Sequence, residues 1–192
     1  MTKTLISLAL ALVSLSASAQ VTSISEVDYH KYNAASDTSV YWASGLSYSN
    51  SVGTFDGYLQ GVRANGAGYH DNLHGFEVGY TVPNLTLGKA AVLPRLGYGQ
   101  MLNVDVPGTD GVGKYALGSI ELNAPVRDRL NGYVSYSHMK GFTPASITSN
   151  NRLQAGVDIT LTEKVSVRTG YSIVRQFGTT QQGLVGMVFC SF

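Results

Sequence analysis

The chain has 192 residues, with 13 Lys and Arg against 12 Asp and Glu, only 13% charged residues, 22 Gly and 12 Tyr. So even a balance gives nucleic acid no hold as a partner, and abundant aromatics with little charge exclude an intrinsically disordered chain. A soluble domain carries about 25% charged residues, so this surface is expected to face something other than water.

Met1-Thr2-Lys3 is a short positive start, Leu5 to Leu15 is an apolar run, and Ala17-Ser18-Ala19 is a small-x-small cleavage site. That is the layout of a secretory signal peptide over residues 1–19, cleaved before Gln20. A helix that stayed in a membrane would need about 20 apolar residues. No cysteine follows the small residues, so a lipoprotein is not expected. Residues 20–192 are read as one domain with 12 basic and 12 acidic residues, because only Lys3 leaves with the leader. The lone Cys190 can form no internal disulfide.

Beyond Gln20 the period is two rather than that of a helix. Strands are predicted near 24–33, 38–49, 54–63, 73–82, 91–102, 113–122, 130–139, 153–161, 165–173 and 183–192. The last hairpins are the clearest. Leu153, Ala155, Val157, Ile159 and Leu161 alternate with Gln154, Gly156, Asp158 and Thr160. After the short Thr162-Glu163-Lys164 connection, Val165, Val167, Thr169, Tyr171 and Ile173 alternate with Ser166, Arg168, Gly170 and Ser172. The connections fall into two sets, 49–53, 83–90, 123–129 and 162–164 against 34–37, 64–72, 103–112, 140–150 and 178–182. The second set holds the longest and most polar members, which suits outward-facing loops.

Alternation alone also fits a soluble sandwich or a lipocalin-like barrel. The polar phase decides between them, for it is rich in Gly, Ser and Thr and poor in Lys, whereas soluble sheets carry Lys on exposed strands. The expected fold is therefore all-β, a closed antiparallel transmembrane barrel of ten strands. Eight is the alternative if the first two segments do not both cross. An even count leaves both termini on the periplasmic side.

The final strand carries a resemblance. Counting back from Phe192 by twos gives Cys190, Val188, Gly186 and Leu184, apolar or small throughout. With the leader and the ten alternating segments, this resembles the small Gram-negative outer-membrane barrels of the OmpA/OmpX-like porin family, barrel only. The resemblance implies residence in the outer membrane among lipid and lipopolysaccharide. It also implies that Leu184, Val188 and Phe192 serve as the signal read by the barrel-assembly machinery. Gly186 and Cys190 depart from the large apolar residues usual at those positions. A monomer is expected. Trp42, near the start of the second strand, is assigned to the outer aromatic girdle.

Phase places most strand charges in the lumen. If Leu161 faces Val165 across the turn, Asp158 and Arg168 meet on the inside. If Leu102 faces Lys114, Arg95 and Glu121 are opposite each other as well. Glu26, Asp28, Asp56 and Glu77 also read as inward. Isolated charge in a narrow interior is costly, so pairing is expected.

Other constellations carry less. His70 and His74 have metal-pair spacing, but that spacing needs a helix. Ser137 and His138, with Glu121 on the neighbouring strand, suggest a lipid-A deacylase, yet Ser137 and His138 alternate to opposite faces. Gly97-Tyr98-Gly99 and Gly108 to Gly113 lack the strand-to-helix setting of a nucleotide loop, and Cys190 falls in the lipid-facing phase. No catalytic, cofactor or metal site is assigned. The expected function is a structural or surface-interaction role with a lumen filled by polar side chains. A narrow cation-preferring porin is the alternative, and a lipid-A-modifying enzyme a second one.

Overall fold

The computed structural model describes residues 20–32, 38–66, 69–83, 85–102, 113–143, 149–176 and 179–192. The expected signal peptide, residues 1–19, lies outside the described residues, as do the expected loops 34–37 and 103–112.

All described elements are strands: β1 Gln20–Tyr32, β2 Thr38–Ser49, β3 Thr54–Gly66, β4 Tyr69–Thr81, β5 Leu85–Leu87, β6 Ala90–Leu102, β7 Gly113–Arg127, β8 Leu130–Thr143, β9 Asn150–Thr160, β10 Val165–Gln176 and β11 Thr179–Ser191. Each long strand pairs antiparallel with its neighbours, β1 pairs with β11, and β4 pairs with β6, so the sheet closes on itself. Ten strands form the wall. The first two segments both cross, which settles ten over eight. The three-residue β5 is an unforeseen addition at the rim, paired only with the start of β6 through a Gly88-Lys89 turn in which Gly88 takes φ 61°.

The strands outrun the expectation at several ends. A long loop was expected over 64–72, but β3 runs to Gly66 and β4 begins at Tyr69. Likewise β7 continues to Arg127 and turns over Asp128-Arg129 alone. Hydropathy marks where apolar contact should stop, whereas pairing continues wherever backbone groups still find partners.

The stagger of the wall follows from the register. Stepping across paired residues from Gln20 passes Ser49, Thr54, Thr81, Arg95, Ser119, Ser137, Arg152, Val174 and Gln181, and returns to β1 at Tyr32. The circuit therefore climbs twelve residues (32 − 20 = 12) in ten strands. Such a shear tilts the strands by roughly 40° from the barrel axis. It also means that hydrogen-bonded neighbours differ in height by about 1.2 residues per strand.

The two faces of the wall differ in kind. Large apolar side chains are exposed on the outside, among them Leu46, Leu59, Leu96, Ile120, Val134, Leu153 and Leu184. Buried inside are Asp28, His30, Ser47, Asp56, Gln60, Glu77, Gln154, Arg168, Ser172 and Gln181, with few apolar residues such as Val185 among them. A soluble barrel would place these sets the other way round.

Candidate functional site

The interior is organised around three arginines. Arg168 on β10 is held by two carboxylates, Asp158 on the adjacent β9 and Glu121 on β7. Its Nε donates to Asp158 Oδ1 at 2.6 Å, and Nη1 and Nη2 donate to the two Glu121 oxygens at 2.7 Å each. The guanidinium lies over the Tyr133 ring at 3.9 Å. Asn123 Nδ2 donates to the remaining side of Asp158 at 2.8 Å.

Arg95 on β6 repeats the arrangement one level up. It donates from Nε to Asp56 Oδ2 at 2.9 Å, pairs with Glu77 at 2.7 Å, and lies 5.7 Å from the Tyr58 ring centre. Arg152 on β9 reaches three strands along the wall to Glu26 at 2.6 Å and to Asp28, with Tyr41 under it at 5.4 Å. Gln154, its amide assigned with oxygen toward the cation, accepts from Arg152 Nε at 3.0 Å. Each cation thus takes carboxylates at its edge and an aromatic ring on its face, the two ways a planar guanidinium is best satisfied.

Hydrogen bonds join the triads. Tyr115 donates to Glu77 Oε2 at 2.8 Å, Gln60 donates to Tyr115, and Tyr41 donates to Gln60 at 3.1 Å. Nearer the loop end Ser39 donates to Gln181 at 3.0 Å, and His30 bonds Ser172. Inward glycines make room for the large groups. A methyl group at Gly79 would run into the Arg95 guanidinium, and one at Gly99 into the Tyr115 ring. Gly97-Tyr98-Gly99 is thus a piece of wall in β6, not a nucleotide loop.

Asp158 and Arg168 stand opposite each other in the β9–β10 register. Arg95 and Glu121 do not. Arg95 pairs with Ser119 and Glu121 with Leu93, because Lys114 faces Gln100 rather than Leu102. A slip of two residues keeps both side chains inward but separates them, so Arg95 turns to β3 and β4 and Glu121 goes to Arg168. The inward placement of Glu26, Asp28, Asp56 and Glu77 is seen in these ion pairs. What the reading of the sequence missed is Arg152, whose even phase on β9 matches Gln154 and Asp158 and so was available as a signal.

Leu184, Val188 and Phe192 all point outward, with Phe192 76% exposed. Trp42 is outward too, lying over Gly61 and 5.9 Å from the His74 ring. Ser137 faces the lumen, while His138 is exposed outside and bonds Asn151 Oδ1 at 2.7 Å. With Glu121 held by Arg168 inside, the suspected hydrolase groups are divided by the wall. His70 and His74 both fall within the extended β4. Four residues of strand separate them by about 13 Å, too far for one metal ion.

No protein-family model matches the chain, and no curated protein matches its sequence. Among solved structures it is similar to the β domain of the Bordetella autotransporter Brka, with 12% identity and TM-score 0.52, covering 90% of this chain and 98% of that one. The fold is that of an outer-membrane β-barrel. Lower likeness is found to an anion-selective porin from Comamonas acidovorans, with 13% identity, TM-score 0.42 and 87% of this chain covered. Neisserial surface protein A follows at 11% identity and TM-score 0.39, with 91% of this chain and 97% of that one covered. The chain spans 59% of the porin's length.

Proposed function

We propose that the protein is an integral outer-membrane barrel with a structural or surface-interaction role, its lumen closed by a fixed network of side chains. The observation that carries this is the repeated clamp of one arginine, two carboxylates and one ring at Arg168, Arg95 and Arg152. In a ten-stranded barrel the interior is about as wide as its side chains can fill. Groups locked to each other across two or three strands leave little reason for ions to pass. The termini lie on the periplasmic side in this reading, the chain is a monomer, and Leu184, Val188 and Phe192 form the outward edge that assembly machinery reads.

Recording in a planar bilayer tests the closed lumen. The expected trace is silent, and a steady conductance overturns the proposal. The second reading, a narrow cation-preferring pore, is favoured by one observation: six lumen carboxylates face three arginines, and Asp28 Oδ1 has no hydrogen-bond partner among the described residues. A cation-selective current would establish that reading instead. A lipid-A hydrolase is not proposed. His138→Ala is expected to leave lipid-A acylation unchanged by mass spectrometry of a deletion strain complemented with the variant.

A further inference from the structure

Among the described residues, exposed charge stands at the short-turn end, at Lys89, Arg127, Asp128, Arg129, Glu163 and Lys164, and above it on the outside of the wall at one level only. Lys31 on β1, Arg63 on β3, Lys114 on β7, Lys140 on β8 and Arg175 on β10 are all exposed and all in the outward phase. Their places in the sequence have no common pattern, but the stagger of the barrel aligns them. Correcting each for the climb of about 1.2 residues per strand puts all five within about 3–4 Å of axial height. Outward Gln100, Gln182 and His74 share that level to within a residue or two.

Below the belt, down to the short-turn end, the described outer face is mainly apolar. Lys31 stands eleven residues along β1 from Gln20 (31 − 20 = 11), roughly 28 Å of height at a ~3.3 Å rise and ~40° tilt. An outer-membrane barrel has an apolar band of about 25 Å. The belt therefore stands at the headgroup level of one leaflet, at the end opposite Gln20 and Phe192. Every described acidic side chain within the strands points inward, and none of the five cations has an ion pair among the described residues.

We propose that this belt is a binding surface for phosphate-bearing lipid headgroups of the outer leaflet, the phosphorylated glycolipid that faces a barrel's loop end. The proposal rests on the membrane-spanning reading above. Five cations at headgroup depth with no ion pair among the described residues are matched by lipid phosphates, which offer each Lys or Arg a partner. Lys31, Arg63 and Arg175 lie on one arc of the wall and Lys114 and Lys140 on another, which suits several lipids around the barrel. The belt also fixes orientation, because it seats the loop end in the phosphate-rich leaflet.

The test is native mass spectrometry of the folded protein in zwitterionic micelles, titrated separately with bisphosphorylated lipid A, dephosphorylated lipid A and inorganic phosphate. Retention of the phosphorylated lipid alone is expected; equal retention of the dephosphorylated lipid, or occupancy by inorganic phosphate alone, overturns the proposal. Each charge removed should weaken binding about fivefold. Lys114→Gln with Lys140→Gln should therefore lose roughly twentyfold, and Lys31→Gln, Arg63→Gln and Arg175→Gln together roughly a hundredfold. Unchanged affinity in both sets, each checked as folded by heat-shifted migration on a cold gel, overturns it. Two partial variant sets keep the test readable even if a variant at all five positions does not fold. If the wild type inserts into bilayers but retains no lipid A, the belt falls and the spanning reading stays. If it remains dissolved and monomeric without detergent, both fall.

Discussion

The inside and the outside of this wall are built from the same strands, yet they handle charge in opposite ways. Inside, cations and anions are interlocked, three arginines to six carboxylates, each arginine seated on a ring. Outside and above the short turns, exposed charge is of one sign, without an ion pair among the described residues, and gathered at a level near the loop end. An enclosed charge must find its partner within the protein, because desolvation otherwise costs more than the fold can spare. A charge at the membrane boundary has water and lipid headgroups available and is left to meet them.

The sharpest way to break the inner arrangement is Arg168→Met. It leaves Glu121 and Asp158 facing each other without their cation and should cost about 3–5 kcal/mol, measured by urea unfolding in lipid vesicles. Adding Glu121→Gln and Asp158→Asn should recover most of the loss. If the single variant is as stable as the parent, the clamp is not what holds this end of the lumen. On the outer face, Leu96→Arg puts a charge in the middle of the apolar band, where Leu96 is 70% exposed. A cost of about 2–4 kcal/mol is expected in a bilayer. A soluble barrel would accept that change at an exposed site without penalty.

Gly99→Ala probes the packing between the faces, since the added methyl must displace the Tyr115 ring. Overfilling of this kind costs about 1–3 kcal/mol and should loosen the Gln60–Tyr115–Glu77 chain, visible as faster amide exchange on β6 and β7. Trp42→Ala removes the indole that covers Gly61 and should cost about 1 kcal/mol in the same unfolding assay. The smallest effect on stability is expected from neutralising the belt. Lys114→Gln with Lys140→Gln should stay within about 0.5 kcal/mol of the parent in neutral lipid while changing lipid preference. A large loss there would mean that the belt holds the fold and is not a lipid surface.

Much of this was legible in the chain itself, because a strand's side chains alternate and that alternation needs no tertiary knowledge. The ten segments, the outward phase of Leu184, Val188 and Phe192, the separation of Ser137 from His138, and the facing of Asp158 and Arg168 all follow from counting by twos across short turns. The Asp158–Arg168 register was accessible because a three-residue connection leaves little freedom. Arg95 and Glu121 were not, because a connection as long as the ten residues of 103–112 does not fix the register of the strands it joins. A shift by two residues is invisible to the alternation.

The residue pattern by itself determined which side chains face in and which face out, since the pleat repeats every two residues whatever the strands later pair with. Only the closed barrel decided heights and distant partners. Shear is a property of the whole ring, accumulated over ten pairings, and it alone brings Arg152 to Asp28 or sets Lys31, Arg63, Lys114, Lys140 and Arg175 on one level. No local stretch of the chain contains that sum.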